Sequence, residues 1–194
     1  RLTDDDYYDR EQSVSGSRVV WRSLRDSSNE ICYSDGSSVV QLTDNAFDDR
    51  DPFVSGESIV WRGFDGNDME IMLFDGSDTL QLTDNSVDDK QPSVSGHNVV
   101  WRGLTDTNWE IFLHDGTDTT QLTNDAYYDR DPVVSGAAVA WRSLRENSFD
   151  IFLFDGAQTV RLTEDTFDDT APALSGENVV WQGWDGQDWE IFLY

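Results

Sequence analysis

Short apolar runs alternate with polar turns along the whole chain, and the pattern returns every 40 residues. In the second copy, residues 59–62 and 70–74 are rich in β-branched and aromatic side chains, and a turn containing Asp65-Gly66 separates them. Runs of this length between Gly- and Asp-rich turns are typical of β-strands, and no segment between turns is long enough for a helix. We therefore predict four antiparallel strands per repeat, named A to D from inner to outer, at 52–55, 59–62, 70–74 and 79–83 in this copy.

Each repeat carries the same frame of a Ser-Gly turn, a Trp, an Ile and an Asp-Gly turn. A period near 40 residues with this punctuation is typical of β-propellers. We predict an all-β, five-bladed β-propeller in a single domain of residues 1–194, with blades at approximately 4–43, 44–83, 84–123, 124–163, and 164–194 plus 1–3. In this arrangement the N-terminal residues 1–3 pair with the C-terminal blade as its strand D and close the ring, the closure known as Velcro.

Three motifs resemble those of the TolB-like branch of WD40-like β-propeller repeats. They are the inner Pro-x-x-Ser at 52–55, the apolar strand ending in Asp-Gly at 111–116, and the Gln/Arg-Leu-Thr ending at 161–163. The family's usual Ser-Pro-Asp-Gly turn is shortened here to Ser-Gly, as at 95–96, and five copies stand where that family commonly has six. The resemblance implies a protein- or peptide-binding platform, often in the bacterial envelope, and therefore favours a secreted or periplasmic location.

The charge of the chain excludes some classes of binding partner. The formal net charge is −26, from 39 acidic and 13 basic residues, and most acids fall in the D-to-A and B-to-C loops. These loops share one face of an up-and-down blade, so we expect one strongly anionic face. Such a face repels nucleic acid phosphates and anionic lipid, and no apolar run has the length of a membrane span. We expect no nucleic acid partner and no membrane insertion; the oligomeric state stays open.

One aspartate recurs at the same position of every repeat, a few residues before the inner strand. As a ring of carboxylates near a channel mouth, these side chains would bind Ca²⁺ or Mg²⁺, which prefer oxygen ligands. Alternatively, each Asp accepts hydrogen bonds from backbone N–H groups of a turn. The five positions are Asp9, Asp49, Asp89, Asp129 and Asp169.

Aromatic residues occupy two variable positions beside the B-to-C turn. They either pack at the blade margin or act as anchors for a sugar or peptide. The aromatic members are Phe64, Trp109, Phe149, Trp184 and Trp189.

Two further positions in strand B are nearly constant. We predict that its Trp packs between blades, and that the Arg after it pairs with the recurrent acids between blades, stacks on Trp or lines a shared anion site. The tryptophans are Trp21, Trp61, Trp101, Trp141 and Trp181, and the arginines are Arg22, Arg62, Arg102 and Arg142.

The pattern favours a non-catalytic binding or scaffold propeller whose acidic face recruits a basic peptide, a glycan or divalent cations. Catalysis needs an asymmetric set of differently tuned groups, whereas nearly every carboxylate here has copies in the other repeats. Two alternatives remain open. One is a structural repeat module, recently amplified or reconstructed, with no specific ligand. The other is a five-bladed glycoside hydrolase with paired carboxylates.

Overall fold

The computed structural model of the protein describes residues 1–106 and 108–194, which form nineteen strands joined by turns. The chain divides into two compact units, Arg1–His97 and Asn98–Tyr194. The described residues contain no helix with the length and apolar character of a membrane-spanning segment.

Each repeat forms one antiparallel sheet in which consecutive strands are neighbours. The first sheet contains β1 (Tyr8–Ser15), β2 (Arg18–Arg25), β3 (Ser28–Ser34) and β4 (Val39–Gln41). The second contains β5 (Asp49–Ser55), β6 (Ser58–Phe64), β7 (Met69–Phe74) and β8 (Thr79–Gln81). The third contains β9 (Asp89–Ser95), β10 (Asn98–Leu104), β11 (Trp109–His114) and β12 (Thr119–Gln121). The fourth contains β13 (Tyr128–Ser135), β14 (Ala138–Arg145), β15 (Ser148–Phe154) and β16 (Thr159–Arg161). The fifth contains β17 (Asp169–Ser175), β18 (Asn178–Trp184) and β19 (Trp189–Leu193).

The predicted all-β fold, with one antiparallel sheet per repeat, is confirmed. Three details differ from the sequence prediction. The inner strand of the second repeat begins at Asp49 rather than at residue 52, and its outer strand ends at Gln81. Residues 1–3 form no strand, so the fifth sheet has three strands among the described residues. The single-domain boundary and the closure of the ring remain predictions.

A β-bulge interrupts the ladder of the inner strands β1, β5, β13 and β17. In β5, Asp49 and Arg50 pair with β6 before the register shifts, and Val54 pairs with it afterwards. The bulge residue Asp51 has a φ of 53°, in the left-handed region that non-glycine residues seldom adopt. The partners of Asp49 and Val54 are Gly63 and Ile59, which lie on one face of β6. The bulge therefore turns the Asp49 carboxylate toward the same face as the apolar Val54.

The core of each unit lies between neighbouring sheets. In the first unit, Val20 and Ile31 pack against Val54, Ile59 and Trp61 of the next sheet. Strands B and C of the inner repeats are apolar on both faces because a sheet between two neighbours is covered on both sides.

The second unit repeats the same packing. One cluster joins the third and fourth sheets through Ile111 and Trp141, and another joins the fourth and fifth through Ile151 and Trp181. The strand B tryptophans of all five repeats are buried.

Candidate functional site

The two variable aromatic positions of each repeat face each other across the B–C hairpin. In the ladder, a residue at or next to the end of strand B pairs directly with a residue at or next to the start of strand C. The pairs are Leu24 with Asn29, Phe64 with Met69, Leu104 with Trp109, Leu144 with Phe149, and Trp184 with Trp189. Each repeat therefore presents one variable cross-strand pair next to its B-to-C turn, a pairing that sequence reasoning did not find.

The fifth repeat opens this pair onto a cavity. The Trp184 and Trp189 rings meet edge to face with centroids 5.7 Å apart. Together with Asn147, Phe167 and Asp168 they line a cavity of about 390 Å³. The Trp189 side chain is half exposed, so an aromatic surface is available to solvent here.

A second cavity adjoins the first and shares Asn147 with it. It has a similar volume, about 390 Å³, and is lined by the acids Glu146, Glu164 and Asp165. Two arginines on its wall are already engaged in ion pairs, Arg145 with Asp125 and Arg161 with Asp150. An aromatic cavity and an acidic cavity thus lie side by side in the second unit.

The other aromatic candidates are covered within their own repeats. Phe64 packs edge to face on Phe47, with centroids 5.7 Å apart. Arg102 lies over the Trp109 ring at 4.4 Å. Phe149 is covered in the same way by Arg142, at 4.5 Å. The structure therefore brings together Trp184 and Trp189 but leaves Phe64, Trp109 and Phe149 in separate sheets.

Three of the strand B arginines form ion pairs with the bulge residue of their own sheet, whereas the third repeat has Gln91 at the bulge position. Arg62 Nε lies 2.7 Å from Asp51 Oδ2, and the matching pairs are Arg22 with Glu11 and Arg142 with Asp131. In the fifth repeat the same two positions hold Ala171 and Gln182. Because both partners change together in that repeat, the sequence contained a signal for this contact.

The recurrent aspartates lie near the start of each inner strand, where four of them are buried and Asp9 is partly exposed. Asp49 accepts a hydrogen bond from Trp61 Nε1 at 2.8 Å and another from Asn45 Nδ2 at 3.0 Å. Asp169 accepts one from Trp181 Nε1 at 2.9 Å. Burial raises the pKa of Asp49 to about 6, against the opposing effect of its hydrogen bonds. In these two sheets the carboxylate fastens the inner strand to the core Trp.

Three groups of acids among the described residues are close enough to hold a metal ion. They are Asp65 with Asp68 and Glu70, Glu110 with Asp125 and Asp129, and Asp185 with Asp188 and Glu190. Of the five recurrent aspartates only Asp129 belongs to such a group, while Asp9, Asp49, Asp89 and Asp169 do not. The acidic groups could bind a metal through carboxylate oxygens.

Other exposed acids stabilise turns. The Asp75 carboxylate accepts hydrogen bonds from the backbone N–H groups of Ser77 and Asp78, at 2.8 and 2.9 Å. These bonds favour the ionised carboxylate and lower the pKa of Asp75. Asp115 does the same in the next repeat, and its pKa falls to about 2. Part of the negative charge of the chain therefore lies on aspartates that stabilise the turns between strands C and D.

Solved structures with the same architecture are numerous, although no protein-family model and no curated protein matches this sequence. A TolB protein from Agrobacterium tumefaciens superposes with a TM-score of 0.69 at 16% identity, over 99% of this chain and 78% of that one. An acylaminoacyl peptidase from Pyrococcus horikoshii gives 0.71 at 12% identity, over 95% and 36%. The β-propeller domain of the Trilobed protease from Pyrococcus furiosus, described as having an open velcro topology, gives 0.57 at 9% identity, over 97% and 95%.

These likenesses, together with the sheet topology, define the class of protein. The chain has a β-propeller fold built from repeated antiparallel sheets. More particularly, the fold is that of a TolB-like propeller, as the sequence motifs indicated. The chain spans about a third of the matched acylaminoacyl peptidase, so that similarity concerns its propeller fold alone.

Proposed function

We propose that this protein is a non-catalytic binding propeller that recruits a basic peptide at the loop ends of its fourth and fifth repeats. The observation that carries the proposal is the pair of adjoining cavities, one lined by Trp184 and Trp189 and the other by Glu146, Glu164 and Asp165. A peptide that places an apolar side chain on the tryptophans would bring neighbouring Lys or Arg side chains to these acids.

The charge balance favours a basic peptide over a neutral glycan. A sugar could stack on Trp184 and Trp189 and donate hydroxyl hydrogen bonds to the carboxylates of the adjoining cavity, but it carries no positive charge to pair with them. A cationic peptide gains from both surfaces, since lysine and arginine also bind the faces of aromatic rings. The net charge of −26 attracts such a partner over distances of about a Debye length, roughly 8 Å at physiological salt.

Fluorescence anisotropy with two labelled peptides tests this function. One peptide carries four Arg around a central Leu, and the other carries four Glu in their place. We expect binding of the Arg peptide alone, weakening as NaCl rises from 50 to 300 mM. Trp189→Ala should weaken binding about fivefold or more, because truncation of an aromatic anchor in an interface costs over about 1 kcal/mol.

The control variant is Phe64→Ala, which removes the equivalent aromatic of the second repeat, where Phe47 already covers it. It should leave peptide binding unchanged. Equal binding of the two peptides, or binding of neutral oligosaccharides in preference to the Arg peptide, would contradict the proposal.

We also infer that residues 1–3 complete the fifth sheet and close a five-bladed ring. In the described structure β19 is the edge of its sheet, with no fourth strand beside it, and its Ile191 is 71% exposed, whereas the counterpart Ile151 is fully buried against the fifth sheet. In the fourth repeat, Arg161 pairs with Phe152 and the Leu162 N–H donates to the Ile151 carbonyl. The same register would pair Arg1 with Phe192 and Leu2 with Ile191.

A further inference from the structure

Three acids of the second unit meet at the start of the fourth sheet. Glu110 lies on β11, Asp125 lies in the loop that follows β12, and Asp129 lies on β13. One carboxylate oxygen from each residue lies within 4.8 Å of the others. Glu110 is 1% exposed and Asp129 is 0% exposed, whereas Asp125 is exposed and leaves the group in contact with solvent.

The two buried carboxylates have few donors: the hydroxyls of Ser143 and Thr123 face Asp129, and that of Thr123 also faces Glu110. Neither oxygen of Asp129 has a hydrogen-bond partner among the described residues, and Glu110 Oε2 has none either. Glu110 Oε1 accepts one bond, from the Asp125 backbone N–H at 3.3 Å. Buried carboxylate oxygens without partners are costly, and native structures match them with donors, ordered water or cations.

Two other repeats have a side-chain hydrogen-bond donor at the position of Asp125. Asn45 and Asn85 occupy the place of Asp125, and their side-chain amides donate to Asp49 at 3.0 Å and to Asp89 at 2.8 Å. In the group around Asp129 this donor is replaced by a third carboxylate. The substitution removes a hydrogen bond from a buried acid and adds negative charge beside it.

A second substitution removes the other donor. Asp49 accepts a hydrogen bond from Trp61 Nε1, and its partner across the ladder is Gly63. A Cβ added at Gly63 would lie 2.7 Å from Asp49 Oδ1, so the glycine leaves room for this arrangement. The fourth sheet has Ser143 at this position. There Trp141 Nε1 has no hydrogen-bond partner among the described residues, and the Ser143 hydroxyl faces Asp129 in its place.

The next repeat contains a similar group of three acids, one of which is paired with an arginine side chain. Asp150, Asp165 and Asp169 occupy the corresponding positions, and Arg161 Nη2 donates to Asp150 Oδ2 at 2.7 Å. The counterpart of Arg161 is Gln121, whose amide donates to the Thr123 carbonyl instead.

The first trio has one neighbouring guanidinium that forms an ion pair. Arg145 lies 3.0 Å from Asp125, but it makes no described hydrogen bond to Glu110 or Asp129. Glu110 and Asp129 therefore have the charge of Arg145 nearby but no direct ion pair of the kind that Arg161 forms with Asp150.

We propose that Glu110, Asp125 and Asp129 bind one Ca²⁺ ion. Carboxylate oxygens are ligands for hard divalent cations, and Ca²⁺ accepts a flexible arrangement of protein oxygens. Mg²⁺ requires a nearly octahedral set and retains most of its water, which suits buried carboxylates less well. The ion would supply the partner that Asn45 and Asn85 supply in their repeats, so the site is independent of the peptide surface at Trp184 and Trp189.

Isothermal titration calorimetry of the full chain with CaCl₂ tests the site, after chelator treatment and in 150 mM NaCl. The variants are Asp125→Asn, which copies the residue of two other repeats, and Asp165→Asn, which makes the same change beside Arg161. We expect Asp125→Asn to weaken Ca²⁺ binding at least about tenfold, because affinity follows the number of charged ligands. Asp165→Asn should bind Ca²⁺ as the wild type does.

A second measurement separates binding from screening. Low-millimolar CaCl₂ should raise the melting temperature of the wild type and of Asp165→Asn above the value in NaCl of equal ionic strength. Asp125→Asn should show no such gain. The proposal is overturned if the wild type shows no calcium heat, if both variants respond alike, or if Mg²⁺ binds more tightly than Ca²⁺.

Discussion

A buried aspartate bonded to a tryptophan is the residue-level contact that fastens an inner strand to the core. Asp49 is 4% exposed and donates nothing when ionised; it accepts hydrogen bonds from Trp61 and Asn45. Those bonds orient the side chain but do not fully replace the water it lost, so its pKa is raised. The contact therefore fixes the geometry of the two side chains, but keeping the Asp49 carboxylate ionised there costs free energy.

This cost predicts a pH dependence. The folded pKa of Asp49, about 6, exceeds the roughly 4 of an aspartate in an unfolded chain. Between these values the folded state holds a proton that the unfolded state has released, so stability from this group is full below pH 4 and is lost as pH rises to 6. Wild type should lose about 2–3 kcal/mol of unfolding free energy from Asp49 between pH 4 and 7. Asp49→Asn should lack this decline, as measured by urea unfolding at each pH.

The matched control for that measurement is Asp48→Asn at the adjacent position. Burial acts to raise the Asp48 pKa, but hydrogen bonds from Arg50 and Asn29 outweigh it, and the net pKa is lowered. The difference between wild type and Asp48→Asn should therefore have the opposite slope with pH. The same slope for both variants would contradict the assigned role of burial at Asp49.

The β-bulge is the distinctive feature at the level of the element, because it combines an unusual backbone with an ion pair. Asp51 adopts a positive φ immediately before Pro52, where an extended conformation is usual. Arg62 reaches across from β6 and binds the Asp51 carboxylate. The Arg62 and Asp51 side chains are 18% and 35% exposed, so solvent screens the pair in part.

A double-mutant cycle measures this pair. Arg62→Gln and Asp51→Ala together reproduce the combination found at Gln182 and Ala171, which the fold already accommodates. We expect a coupling energy of about 0.5–1 kcal/mol in low salt, decreasing in 1 M NaCl. Strictly additive effects of the two changes in urea unfolding would show that the contact contributes nothing to stability.

The strands were predictable from the sequence, whereas the bulge was not. The strict period and the Asp-Gly turns located strands B and C, since β-branched runs such as 59–62 have one reasonable conformation between such turns. Asp51-Pro52 carries no local signal for a positive φ, and without the bulge Asp49 would not share a face with Val54. The Trp184–Trp189 pair and the acids around Asp129 depend on strand register and on contacts between repeats, which the order of residues does not give.

At the scale of the whole molecule, five sheets must be covered on both faces for the repeat to be stable. The faces between successive sheets in each unit are buried, but Ile191 and Leu193 of β19 are 71% and 67% exposed. The strand β19 is also the free edge of its sheet, and an exposed apolar edge invites pairing with another strand. Residues 1–3, with the same Arg-Leu-Thr as 161–163, are the segment that we propose fills it.

Disulfide trapping tests this closure most directly. In a background where Cys32→Met copies Met72 of the next repeat, Arg1→Cys and Phe192→Cys place thiols at positions that the repeat register pairs. We predict that mild oxidation forms an intramolecular disulfide, seen as a monomer on a non-reducing gel that is two hydrogens lighter by mass. A control that pairs Arg1→Cys with Leu80→Cys on β8 should stay reduced. Free thiols or disulfide-linked oligomers alone from the Arg1→Cys, Phe192→Cys protein would contradict a ring closed by its own N-terminus.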